Sequence, residues 1–196
     1  MSHPKMVCYA GGLGIVFGLL TVATSGIEVR AGKPTGQASA TTAHTRYHVV
    51  HGWPVLPENM ILDEVSAVGV DLYDNVFVLT RGGRKWPDSD VLDTTPIAVP
   101  TVFLFAGRNG RLLARWGENL FALPHSITVD RKDNVWVADV ALHQVYKLSH
   151  DGRLLLTLGE RGIPGDDSLH FNRPTDVAVE PNGSVYVSDG SETAAC

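Results

Sequence analysis

PHSITVDRKDNVWVADVAL, residues 124–142, decides the fold. An apolar run ends at Asp130, a polar turn follows, and a second run, NVWVADV, alternates valine with tryptophan and alanine. Runs of about four to eight such residues, bounded by turn residues, read as two strands of one hairpin. The pattern recurs upstream in VSAVGVDLYDNVFVLTRGG (65–83) and downstream in RPTDVAVEPNGSVYVSDGS (173–191). Asp71, Asp130 and Glu180 mark the same point in each copy.

Two of the copies continue into a second strand pair. TVFLFAGRNGRLLARWG (101–117) turns at Asn109-Gly110, and HQVYKLSHDGRLLLTLGERG (143–162) turns at Asp151-Gly152. Asn-Gly and Asp-Gly between apolar runs are strong hairpin signals. Each unit therefore has four strands, and a period of roughly 50 to 60 residues is that of a propeller array. Four strands per unit argue against a helical solenoid. The predicted fold is all-β, an incomplete β-propeller of about two and a half blades. Propeller blades surround a central channel, so functional side chains are expected where the first strands begin and end.

Outward from the repeats the composition changes. Lys5 precedes a charge-free run from Met6 to Ala23, followed by Thr24, Ser25 and Gly26. A basic start, an apolar run and small residues after it read as a secretory signal peptide. The run is also long enough for a membrane anchor. Either reading puts the rest of the chain outside the cytoplasm, secreted, periplasmic or held at the membrane. The expected layout is signal peptide or anchor over 1–31, linker over 32–46, blades over 47–190 and an aberrant tail over 191–196. A net charge of -5 gives no basic footprint for nucleic acid. The 2 cysteines, Cys8 and Cys196, form neither a disulfide framework nor a zinc-thiolate pair.

Three stretches carry a family resemblance. VGVDLYDNVFVLTRGGRKW (68–86), GENLFALPHSITVDRKDNVWVADVALHQVYKL (117–148) and HFNRPTDVAVEPNGSVYVSDG (170–190) resemble the peptidyl-α-hydroxyglycine α-amidating lyases. These are six-bladed propellers of NHL repeats. The Leu-Pro-His and Asp-Val-Ala-Leu-His-Gln-Val segments are the specific part, and the similarity covers roughly residues 47 to 190.

The resemblance implies an enzyme that cleaves a peptide ending in α-hydroxyglycine to a peptide amide and glyoxylate, using zinc and calcium. His125 falls on a zinc ligand. Arg81 falls on the active-site arginine, which meets the substrate carboxylate. Val68 and Ile127 fall on positions whose backbone carbonyls bind calcium. Read without the resemblance, His125 is a strand-end histidine satisfied by backbone, Arg81 a solvated strand-end arginine, and Val68 and Ile127 inward packing residues. His143 and His170 read as structural, Asp139 and Asp176 as turn carboxylates, and His48, His51 and Trp53 as surface packing.

The sequence also departs from the family. Position 191 is serine where the family has its proposed catalytic tyrosine, and the last residues read SETAAC. Loss of one nucleotide in the tyrosine codon reproduces that tail, so a frameshift is expected. The other two zinc histidines belong to later blades, and Asn172 stands where the animal enzymes have cysteine. One histidine does not make a catalytic zinc site, which takes about three protein ligands. The 196-residue chain alone is therefore expected to be inactive. The alternative function is a non-catalytic NHL module that binds proteins or peptides.

Overall fold

The computed structural model describes residues 5–9 and 47–190. Eleven strands are seen among them, and no helix there is long and apolar enough to cross a membrane. One compact unit, residues 1–11 with 52–196, holds every strand; residues 47–51, the described part of the other unit, are exposed and without strand.

The strands form three antiparallel sheets. β2 (Val65–Val70), β3 (Val76–Thr80), β4 (Val102–Phe105) and β5 (Leu112–Trp116) pair in chain order. β6 (Pro124–Val129), β7 (Val135–Asp139), β8 (Gln144–Leu148) and β9 (Leu154–Leu158) repeat this arrangement. β10 (Asp176–Val179) and β11 (Val185–Asp189) begin a third sheet. These are propeller blades, the third incomplete, as the repeats imply.

The third sheet has one strand beyond the two read from the repeat. β1 (Lys5–Tyr9) pairs with β11, from Lys5 opposite Asp189 to Tyr9 opposite Val185. This strand takes the first part of the apolar run read as a leader or anchor. The rest of that run, the linker and the tail from residue 191 lie outside the described residues.

Period-two burial explains why the sheets stack. Successive side chains of a strand face opposite ways. In β7, Val135 and Val137 enter the core shared with the first blade, with Phe77, Leu79, Phe121 and Leu148. Trp136 and Ala138 enter the core shared with the third, with Val177, Val185 and Val187. All five β7 residues are buried, so this strand lies inside a stack of sheets. The inner strands β2, β6 and β10 lie side by side.

The repeated turn is built by one carboxylate. Asp71 Oδ1 accepts the N–H groups of Tyr73 and Asn75, and Asp130 Oδ1 those of Lys132 and Asn134. Such Asx turns stabilise a tight reversal. Asp74 and Asp133 then take φ of 61° and 62°, a left-handed conformation that Asp and Asn tolerate. In the third copy Asn182 does the same work, its Oδ1 accepting the Ser184 N–H.

These turns predict an acid response. Burial raises the Asp71 and Asp130 carboxyls, but hydrogen bonds outweigh it and hold both below the ordinary 3.8. A depressed folded-state pKa contributes stability that is complete above the unfolded value and lost as pH falls through the folded one. The urea midpoint should therefore fall as pH drops below 3.8. An Asp71→Asn, Asp130→Asn double variant, which keeps the turn acceptors but does not titrate, should show a flatter decline. An unchanged decline would contradict this.

Candidate functional site

The first residues of β2 and β6 hold the clue to His125. Pairing of β6 with β7 shifts between Pro124 and Ser126, and pairing of β2 with β3 shifts between Val65 and Ala67. The extra residues are His125 and Ser66. A bulge re-aims its side chain and breaks the alternation, so these two leave the plain in-and-out pattern of their strands.

His125 is half-buried, and its Nδ1 lies 2.8 Å from the Thr175 carbonyl oxygen of the third blade. A carbonyl only accepts, so Nδ1 carries a proton, and in the neutral imidazole Nε2 is then the nitrogen with the lone pair. Histidines that bind metals are commonly oriented by such a carbonyl on the other ring nitrogen. The Thr175 carbonyl satisfies Nδ1, and Nε2 has no hydrogen-bond partner among the described residues.

Arg81 follows β3, its N–H bonded to the Glu64 carbonyl at 3.1 Å. It is half-buried, not a solvated strand-end arginine. Burial depresses its guanidinium pKa, and Glu64 pushes back. Its Nε is buried and has no hydrogen-bond partner among the described residues. A buried donor without a partner is costly, and an anion would satisfy it.

Trp86 joins the two. Its ring stands edge-on to His125 with centroids 5.7 Å apart, and the Arg81 guanidinium carbon lies 5.1 Å from the indole centre. The loop carrying Trp86 is clamped by Arg84, which donates to the carbonyls of Asp93, Thr95 and Ala122 and pairs with Asp93 at 3.2 Å. Neither Trp86 nor Arg84 stood out in the sequence, because residues 81–100 carry no strand periodicity.

The segment entering β6 is fixed by Asp139. This buried carboxylate accepts the N–H groups of Ala122, Leu123, Ala141 and Leu142. It is a turn carboxylate as expected, but it ties two loops and sets the chain just before His125. Burial pushes its carboxyl upward against those donors. Asp189 repeats the contact in the third blade, accepting the Asn172 N–H at 2.8 Å.

Val68 and Ile127 sit on the adjacent inner strands β2 and β6; Val68 is exposed and Ile127 buried. Gly69 lets β2 lie close to β6: a methyl group there would sit 3.4 Å from the Ile127 carbonyl oxygen. Four other histidines lie away from this cluster. His143 Nδ1 accepts the Arg173 N–H, His170 meets Asp167 and Glu160, and His48 and His51 lie on the exposed 47–51 segment. Asp176 Oδ1 accepts the N–H of Val177, the residue after it. Trp53 packs against Phe105 and donates to the Gly107 carbonyl.

A second constellation was not foreseen. Asp71, Asp133 and His150 bring one ligand atom each within 4.8 Å of one another, a possible metal-binding triad. It lies at the far ends of β2 and β6 from His125.

Comparison with known proteins places the chain. Residues 171–194 match the NHL repeat. The peptidylglycine alpha-amidating monooxygenase of Rattus norvegicus is 41% identical over 70% of this chain. The peptidyl-alpha-hydroxyglycine alpha-amidating lyase 1 of Drosophila melanogaster is 34% identical over 80% of it. The chain is a homologue of the peptidyl-α-hydroxyglycine α-amidating lyases. It spans 15% of the rat protein and 30% of the Drosophila lyase. Virginiamycin B lyase from Staphylococcus aureus superposes with a TM-score of 0.42 at 11% identity, covering 64% of this chain and 34% of its own, a likeness too slight to bear on function.

Proposed function

We propose that these blades form one wall of a peptidyl-α-hydroxyglycine lyase site, with His125 as a zinc ligand and Arg81 as the carboxylate-binding residue. The observation that carries this is the Arg81–Trp86–His125 cluster, in which a buried unpartnered Nε and a free imidazole Nε2 flank one indole.

Each residue has a part that its surroundings support. Thr175 fixes the His125 tautomer and ring direction. Arg81 offers a planar donor fork to a carboxylate, a contact strengthened by partial burial. Trp86 lies against the guanidinium, its ring centre 5.1 Å from the central carbon. Val68 and Ile127 offer backbone carbonyls on adjacent inner strands, the ligand type calcium accepts. Zinc, when bound, supplies a Lewis acid that favours loss of a hydroxyl proton. The substrate in this reading is a peptide ending in α-hydroxyglycine, and the products are a peptide amide and glyoxylate. The charge-free run from Met6 to Ala23 supports a place outside the cytoplasm.

One histidine is too few for a catalytic zinc centre, so the test supplies the remaining blades. Residues 47–190 are exchanged for the aligned stretch of the Drosophila lyase. The chimera should release glyoxylate from a peptidyl-α-hydroxyglycine. A folded, zinc-loaded chimera that releases none would refute the proposal.

A further inference from the structure

The blades repeat, so a departure from the repeat is informative. In the second blade Asp130 Oδ2 is capped by its own blade, accepting from Trp136 Nε1 at 3.0 Å and from Asn134 Nδ2 at 3.0 Å. In the first blade Asp71 Oδ2 accepts from Asn75 Nδ2 at 2.9 Å, but Phe77 stands where Trp136 does and has nothing to donate. The vacancy is filled from the neighbouring blade. His150, from the β8–β9 turn, sets its ring edge-on to Phe77 with centroids 5.1 Å apart and its Nε2 3.0 Å from Asp71 Oδ2. The same Nε2 lies 3.7 Å from Asp133 Oδ2.

We propose that Asp71, Asp133 and His150 form a zinc-type divalent metal site that clamps the first blade to the second. Four features of the geometry support it. First, the donors are one imidazole and two carboxylates, which suits zinc, cobalt or nickel rather than calcium or magnesium. Second, ligand atoms around tetrahedral zinc, at about 2.0 to 2.2 Å from the metal, stand about 3.3 Å apart. The separations of 3.0 and 3.7 Å from Nε2 bracket that spacing, and all three ligand atoms lie within 4.8 Å of one another. Third, with neutral His150 the cluster carries two negative charges, and a single N–H cannot point at both carboxylates. A cation between the three atoms answers both. Fourth, the site is rigid on one side and open on the other. The Asp71 side chain is fully buried, while His150 and Asp133 are 34% and 22% exposed, which leaves room for a water ligand.

Asp71 Oδ1 is committed to the Tyr73 and Asn75 N–H groups, and Asp133 Oδ1 lies 3.5 Å from the Leu72 N–H. The Oδ2 atoms face His150. The metal takes the place of the Nε2 proton and leaves the turn bonds intact. The site is independent of the reading of His125, and lies several strand residues from it, about 3.3 Å each.

The test is zinc binding by the full chain, by competition with a chromophoric chelator, alongside thermal melting. Wild type and His125→Gln should bind zinc at this site equally and melt higher with zinc than without. His150→Gln and Asp133→Asn should each bind about tenfold more weakly or worse, and zinc should no longer raise their melting temperature. Asn at 133 keeps the left-handed turn, and Gln at 150 still offers Asp71 a donor, so both variants should fold. Wild-type affinity in either variant would overturn the proposal. So would absence of binding by wild type, or loss of binding only in His125→Gln.

Discussion

Replacing Asp139 with alanine should destabilise the protein by about 4 kcal/mol, the largest stability effect of any single polar side chain described. The carboxylate has no exposed surface and answers four backbone N–H groups on two loops. A buried donor left without a partner costs about 1 to 3 kcal/mol. Water replaces the carboxylate poorly among Phe121, Ala122, Val140 and Leu142, all fully buried. Asp139→Asn should recover only part of the loss, since its amide NH2 must face an N–H group on one side. The measurement is the urea midpoint of wild type and both variants. A loss under about 1 kcal/mol for alanine would show that the loops are held by packing instead.

The second large effect concerns chemistry. In the chimera that carries residues 47–190, His125→Ala should lower glyoxylate release about a thousandfold or more, the scale of several kcal/mol of Lewis-acid stabilisation. Arg81→Ala should lower it by about 10²–10³, as loss of a preorganised donor to an anion does. Arg81→Lys keeps the charge but not the fork, so it should raise KM more than it lowers kcat. Glyoxylate assays on folded, zinc-loaded variants decide this. Full activity in Arg81→Ala would remove that residue from the site.

The fold was legible because its signals are local. Alternation in NVWVADV, the Asp130-to-Asn134 turn and the Asn-Gly and Asp-Gly hairpins each act over a few residues and repeat. The position of His125 was also legible, at the mouth of an inner strand. Its bulge was not, because a register shift exists only relative to the partner strand β7. Trp86 stayed hidden in a loop without periodicity, although it holds Arg81 and His125 together. The triad of Asp71, Asp133 and His150 needs two blades to form. One trace of it was present in the sequence: Phe77 aligns with Trp136 and lacks its donor. The run at Met6 illustrates a different limit. An apolar run suits a leader, an anchor or a strand, and β1 takes its first residues, 6–9.

The reading of the site depends on a metal at the imidazole of the sixth strand. Crystals of the zinc-loaded chimera, measured at the zinc absorption edge, address this directly. The account predicts an anomalous peak about 2.0 to 2.1 Å from His125 Nε2, with Nδ1 still on the Thr175 carbonyl. A map with no peak there, or with the His125 ring turned away from Trp86 into solvent, would contradict it.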